Sequence, residues 1–239
     1  MIEIMQNKTV IDDAFIDRWE AEYDKIEGDD KKYDKIIEQV KEDISRIGTI
    51  SKDTLEEIYN WKAARAKGYV KWEDYSKYEE AIGNSLRAPE DKKKAILDDL
   101  PGIGIPVAST ILHFVYPETF SIVDIRTVEF LQNAGYLDKL KSYYYFRDTI
   151  QGYSFFCHVI KEISQRLPKK RLRQIDKAMF ENHKKQKKQK SCHARYSHLA
   201  QRRSYFFSSS SMTSSLVFIN SPQIFALHKP VFTLCFQLC

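Results

Sequence analysis

The stretch Ile96-Leu-Asp-Asp-Leu-Pro-Gly-Ile-Gly-Ile-Pro-Val-Ala-Ser-Thr-Ile-Leu112 decides the fold. It predicts a helix, a tight turn and a second helix, because Pro106 suits a first helical turn and two glycines allow the backbone to reverse sharply. We expect Ile103 to fill the groove between the two helices. The exposed amides of Gly102 and Gly104, at the positive end of the second helix, would then hold a phosphate.

This arrangement is a helix-hairpin-helix, which binds the nucleic-acid backbone without reading its sequence. The alternative is an ordinary pair of antiparallel helices joined by a glycine turn, and a bare Gly-x-Gly would favour that interpretation. The longer pattern, in which Leu-Pro-Gly-Ile-Gly is followed by small and apolar residues, favours the hairpin that binds DNA.

The chain up to about residue 185 shows helical periodicity almost throughout. Ser51 and Asp124 are suitable N-caps, and Gly135 is a suitable stop for the helix that begins after Asp124. Further helices are predicted over about 152–166 and 170–183. Only the segment 119–123 alternates as a strand would, so the predicted fold class is all-α.

Composition excludes several classes of protein. The 239 residues are 43% hydrophobic and 30% charged, which is ordinary for a globular protein and unlike a collagen-like or wholly disordered chain. No apolar run is long enough for a membrane helix, and the first residues do not resemble a secretory signal. The four cysteines lack the spacing of a zinc or iron–sulfur site. We therefore expect a cytoplasmic monomer with no membrane contact.

Charge divides the chain into three parts. Residues 1–60 carry an excess of acidic side chains, residues 61–182 a small excess of basic ones, and residues 183–239 no acidic side chain at all. A surface that binds a polyanion is therefore expected in the middle of the chain or at its end.

The lysine-rich segment 183–190 separates two kinds of sequence. Residues 1–185 are predicted to form one domain, and residues 186–239 a basic linker followed by a serine-rich, low-complexity tail. Two interpretations of the tail stay open. It is a disordered extension, or it is the product of a shifted reading frame, which a repeated stretch of A-rich Lys and Gln codons favours.

Asp124 stands 20 residues beyond Gly104, in Thr119-Phe-Ser-Ile-Val-Asp-Ile-Arg-Thr-Val128. Its simplest role is that of a helix N-cap. A carboxylate beside a hairpin that binds DNA can also stabilise the cationic sugar that forms when a base leaves its deoxyribose, and can orient or deprotonate the attacking water. The two roles are compatible because a capping side chain is held rigidly.

These features resemble the helix-hairpin-helix DNA glycosylases, the superfamily of endonuclease III and the adenine glycosylases, over about residues 50–182. The similarity is greatest to uncharacterised bacterial and archaeal members. The resemblance implies a helical glycosylase-like fold and base-excision repair of double-stranded DNA. The residues that match the superfamily pattern are Leu100, Pro101, Gly102, Gly104, Ala108, Val123 and Asp124. Those shared with the uncharacterised members are Trp61, Lys62, Arg65, Arg126 and the segment 172–178.

Departures from the family pattern narrow the expected chemistry. Pro106 occupies the position of the lysine with which bifunctional members form a Schiff base, so that lyase reaction is not expected there. The four cysteines of the iron–sulfur loop are missing, and Arg126 replaces a histidine. The resemblance therefore implies no cofactor, allows a monovalent cation at the hairpin, and points to a monofunctional glycosylase that uses Asp124 and water.

Three residues of one helical turn complete the predicted site. Lys62 and Arg65 are expected on phosphates beside a nucleotide flipped out of the duplex, with Trp61 as a wall of the base pocket, although a core position for Trp61 is the simpler interpretation. The basic run 169–173 is expected to be solvated surface, with a second phosphate contact as the alternative. His113 is given no role. Two functions stay open: a monofunctional glycosylase, and a non-catalytic protein that binds DNA structure and uses Asp124 only as a cap.

Overall fold

A computed structural model of the protein describes residues 9–25, 29–90, 93 and 100–209, without the side chains of 29 and 192–209. These residues form helices and contain no strand, which confirms the all-α class. Within them, no helix is both long enough and apolar enough to cross a membrane. The α-helices are α1 Asp13–Tyr23, α2 Asp29–Ile47, α3 Lys52–Lys62, α4 Tyr75–Arg87, α5 Ile105–Val115, α6 Ile125–Asn133, α7 Tyr143–Asp148, α8 Ile150–Arg166 and α9 Leu172–Ser209; two 3₁₀-helices cover Ala64–Tyr69 and Trp72–Asp74.

The chain divides into two compact units, Met1–His183 and Lys184–Cys239. The last predicted helix, over about 170–183, continues to Ser209. The continuation has a local cause, since residues 184–209 contain no glycine or proline and are rich in Lys, Gln and Arg, which favour helix. The interpretation of residues 186–239 as a disordered or frame-shifted tail stays a prediction, and residues 210–239 lie outside those described.

Helix α6 begins and ends at the predicted residues. Asp124 is its N-cap and takes part in a reciprocal capping box with Thr127. At the other end, Gly135 has a φ of +79°. The Tyr136 amide donates to the Leu131 carbonyl at 2.8 Å, which is the long-range bond of a Schellman motif.

Helix α3 is shorter than its periodicity suggests. Ser51 caps it as predicted, by accepting a hydrogen bond from the Thr54 amide. The α-helix ends at Lys62 rather than near Gly68, and the chain continues as the 3₁₀-helix Ala64–Tyr69. The tighter winding places Lys67 where its ammonium pairs with Glu56 at 2.7 Å.

The predicted strand over 119–123 does not form. Residues 120–123 are buried, and their polar backbone groups bond to helices instead of a neighbouring strand. The Val123 amide donates to Ser109 Oγ at 3.2 Å, and the Ser121 carbonyl accepts from the Tyr153 hydroxyl at 2.9 Å. These bonds hold the residue before Asp124 against α5.

Two apolar clusters form the core of the first unit. One is built mainly from α1, α6, α8 and α9, and includes Val123, Phe130 and Ile175. The other is built mainly from α2, α3, α4 and α5, and includes Tyr59 and Ile103. Trp61 packs on the second cluster, whereas Asp124 follows directly after a member of the first. The candidate site therefore lies where the two clusters meet.

Candidate functional site

A cavity of about 540 Å³ brings together five of the side chains that the sequence singles out. A volume of this size is within the range of small-molecule sites. Four cationic side chains and two carboxyl groups share its wall with aromatic and apolar residues. The lining consists of Tyr23, Trp61, Lys62, Arg65, Ile122, Asp124, Ile125, Arg126, Arg173, Asp176 and Phe180.

Asp124 is held at both of its carboxylate oxygens. Oδ1 accepts a hydrogen bond from the Arg126 amide at 2.9 Å, as an N-cap should. Oδ2 lies 3.3 Å from the Lys62 ammonium. The side chain retains 26% of its exposure, so it still faces the cavity. The capping role is confirmed, and the carboxylate is accessible to a ligand at the same time.

Neighbouring charges keep Asp124 ionised. Burial acts to raise its pKa, but the Lys62 ammonium and the Arg126 amide favour the charged form more strongly, and the resulting pKa lies below the ordinary value. A carboxylate with a lowered pKa is a weak base and a persistent negative charge. It is therefore better suited to stabilising a cation than to removing a proton.

Helix α3 supplies the wall opposite Asp124. The Trp61 ring packs edge-on against Phe114, with ring centroids 5.3 Å apart, while another part of it lines the cavity. Lys62 follows on the same helix, and Arg65 comes from the 3₁₀-helix after it. Trp61 thus packs on the core and also lines the cavity, and its role as a wall of a base pocket stays a prediction.

Two ionisable side chains of α9 line the cavity: Arg173, which the sequence offered only as the alternative of a second phosphate contact in the run 169–173, and Asp176, which was given no role. Arg173 pairs with Asp176 at 2.8 Å, and its guanidinium lies 5.2 Å from the centre of the Trp61 ring. On the opposite side, the guanidinium of Arg126 lies 4.4 Å from the centre of the Phe180 ring. The spacing Arg-x-x-Asp on a helix signalled an ion pair, but nothing local indicated which surface it would face.

Asp176 differs from Asp124 in the direction of its pKa shift. Burial raises the pKa of its carboxyl group, and the opposing influence of the Arg173 guanidinium is smaller. One cavity therefore contains a carboxylate kept ionised and a second carboxyl group that holds its proton more readily. Carboxyl groups with opposite pKa shifts are a common arrangement where acid and base roles are divided.

The predicted phosphate cradle lies outside this cavity. Gly102 has a φ of +81°, and the Ile103 amide donates to the Leu100 carbonyl at 2.9 Å, as in a turn of type II. Ile103 is buried, so the turn presents backbone rather than this side chain. Gly104 is the exposed N-cap of α5. The helix predicted before the turn, over 90–100, lies largely outside the described residues.

Two elements join the turn to the cavity. The hydroxyl of Tyr59, two residues before Trp61 on α3, donates to the Gly102 carbonyl at 2.7 Å. Helix α5 begins at the turn and holds the Val123 amide through Ser109. The turn and the Asp124 cavity are therefore parts of one packed assembly, although their functional groups do not share a surface pocket.

The buried His113 supports the cavity wall. Its Nδ1 donates to the Phe120 carbonyl at 2.7 Å, so Nε2 accepts from the Tyr33 hydroxyl at 2.8 Å. The Tyr33 ring in turn packs against Trp61, with centroids 5.9 Å apart. Burial lowers the pKa of His113 to about 4, so it is neutral at pH 7. Its role is structural.

No set of three or more His, Cys, Asp and Glu side chains within the described residues is arranged to hold a metal ion. The absence of a cofactor, and a monovalent cation at the turn, both stay predictions. Comparison with protein-family models, with curated proteins and with solved structures gave no match to this chain.

Proposed function

We propose that this protein binds double-stranded DNA and hydrolyses the N-glycosidic bond of a damaged or mismatched base, as a monofunctional DNA glycosylase of base-excision repair. The observation that carries the proposal is the convergence of Trp61, Lys62, Arg65 and Arg126 on one cavity around the carboxylate of Asp124. These residues come from separate parts of the chain and were selected from the sequence for this chemistry.

The proposed reaction takes place on a nucleotide rotated out of the duplex into the cavity. The bond from C1′ to the base nitrogen breaks, and positive charge develops on the sugar. The ionised carboxylate of Asp124 stabilises that charge and orients a water molecule, whose oxygen adds to C1′. One proton of the water passes to the solvent, and the departing base takes up one proton. Asp176 is the other carboxyl group of the cavity and our candidate for the donor, since burial raises its pKa.

The experiment replaces Asp124 with asparagine. Asparagine also caps helices well, so the fold should survive, whereas loss of the charge should slow base release by about 100-fold or more. The measurement is single-turnover cleavage of duplex oligonucleotides that each carry one damaged or mismatched base, with abasic sites revealed by alkali. Asp12→Asn is the matched control, because Asp12 caps α1 through the Phe15 amide at 2.7 Å and does not line the cavity.

A folded Asp124→Asn variant that released bases at the wild-type rate would refute the catalytic role. Failure of the wild-type protein to release any base of the panel, together with binding of the same duplexes, would favour the second candidate function. That candidate is a non-catalytic protein that binds DNA structure. The engagement of both Asp124 oxygens by Arg126 and Lys62 favours it, because a carboxylate with two internal partners serves the fold without a substrate.

A further inference from the structure

Two lysines of helix α2 line a different cavity from three of its acidic residues, which are joined there by Lys41. Three acidic residues spaced four apart, Asp30, Asp34 and Glu38, line a cavity of about 700 Å³. Lys32 and Lys35 line a different, smaller cavity of about 290 Å³, which α2 forms with α3. The excess of acidic residues in this part of the sequence therefore conceals a local basic surface.

Trp61 separates this smaller cavity from the Asp124 cavity. Among the residues that the structure describes, it is the only one that lines both. The rest of the smaller cavity's wall is polar or charged apart from Ile36, and includes one carboxylate, Glu57. A chain leaving the Asp124 cavity across the Trp61 side chain would therefore enter the cavity of Lys32 and Lys35.

The cations on the two sides of Trp61 are available to an external anion. Within the described residues, Lys32, Lys35 and Arg65 form no ion pair or hydrogen bond through their charged groups, and Glu57 pairs with neither lysine. Lys62 and Lys67 differ from them, because each already pairs with a carboxylate of the protein. An unpaired cation can neutralise a phosphate without breaking an internal interaction.

We propose that Lys32 and Lys35 bind the DNA backbone next to the flipped nucleotide, so that the strand runs from the Asp124 cavity across Trp61 into the groove between α2 and α3. This inference rests on the proposed function and identifies the path of its substrate. Cationic grooves with an aromatic side chain on which the strand lies are the usual device for holding unpaired nucleic acid. Arg65 contacts the backbone on the near side of Trp61, and the two lysines contact it on the far side.

The experiment compares two double variants of α2 that have the same net charge. Lys32→Ala with Lys35→Ala removes the cations of the groove, and Lys31→Ala with Lys41→Ala removes two exposed lysines of the same helix that do not line it. Affinity for a duplex with one unpaired nucleotide is measured between 50 and 200 mM salt. The groove variant should lower the slope of log affinity against log salt by about 1 to 2 units, and the control variant should leave the slope nearly unchanged.

Uncharged methylphosphonate linkages, placed one at a time on each side of the unpaired nucleotide, then locate the contact. At the phosphate that Lys32 and Lys35 bind, the neutral linkage should weaken DNA binding by the wild-type protein. It should have little further effect on DNA binding by the groove variant. If the wild-type protein binds the duplex but the groove and control variants show equal slopes, the inference about Lys32 and Lys35 is overturned and the proposed function is not. A wild-type protein that binds no DNA would overturn the proposed function with it, whereas binding with a lysine-dependent slope but no base release would support the inference and refute only catalysis.

Discussion

The stability of the fold should depend on pH through His113, whose pKa falls from 6.5 to about 4 on folding. Between these values the unfolded chain binds a proton and the folded chain does not, so acidification favours unfolding. A shift of this size corresponds to about 3 kcal/mol, at about 1.4 kcal/mol for each unit of pKa. The free energy of unfolding should therefore fall by about 3 kcal/mol from this residue alone as the pH decreases from 7 to 4.

Urea unfolding at several pH values, compared between the wild type and His113→Asn, measures this contribution. Asparagine retains a donor for the Phe120 carbonyl but does not titrate, so the variant should be less stable at pH 7 and lose less of its stability on acidification. The comparison also removes the opposing contribution of Asp176, whose raised pKa favours folding at low pH in both proteins. His158 is 65% exposed, and His158→Asn is the control for replacing a histidine at the surface.

The reasoning would be refuted if His113→Asn and the wild type lost stability in parallel between pH 7 and pH 4. Such a result would mean that the imidazole accepts a proton without cost in the folded protein. The bonds from His113 to Tyr33 and Phe120 would then not hold the wall behind Trp61, and the shape of the Asp124 cavity would need revision.

Three further predictions concern the turn at Gly102, the Gly104 amide and Pro106. Gly102→Ala should destabilise the fold by about 2 kcal/mol or more, because φ is +81° and a Cβ would lie 2.9 Å from the backbone of Tyr69. Gly104→Ala should change stability by about 0.5 kcal/mol at most, because its Cβ would meet only Pro106 Cδ, at an ordinary contact distance of 3.7 Å. Thermal unfolding distinguishes the two. If the Gly104 amide holds a phosphate, Gly104→Val should weaken duplex binding at every salt concentration without changing the slope, and unaltered binding would contradict that role. Borohydride reduction on an abasic duplex should trap no covalent adduct, given Pro106, and an adduct would identify another amine, for which Lys62 is the first to test.

The features that could be predicted from the sequence are those with local causes. Asp124 and Gly135 define the ends of α6 through hydrogen bonds to residues within a turn of themselves, and both were predicted correctly. The end of α3 at Lys62 was not, because the 3₁₀-helix that follows depends on contacts with Glu56 and Trp72. Local patterns do not record such contacts.

The candidate site divides in the same way. Trp61, Lys62 and Asp124 could be selected because each belongs to a short motif, Trp-Lys-x-x-Arg or Val-Asp-x-Arg, whose residue types suit the chemistry. The place of Arg173 and Asp176 in the cavity could not be predicted. It depends on the packing of α9, which lies about 50 residues after Asp124 in the chain. The need for a glycine at position 152 was missed for a related reason. A Cβ there would clash with the Tyr145 carbonyl oxygen, because α7 and α8 approach closely, and this approach has no signal in the sequence.

The double engagement of Asp124 has a consequence for the entropy of ligand binding. The Arg126 amide and the Lys62 ammonium restrict its side chain to one rotamer before any ligand arrives. A mobile side chain would lose conformational freedom during association, at a cost of about 0.5 to 1.5 kcal/mol. Asp124 loses that freedom earlier, when the protein folds. A cationic ligand therefore meets a carboxylate already in position, and the motion that its arrival requires is a displacement of the Lys62 ammonium.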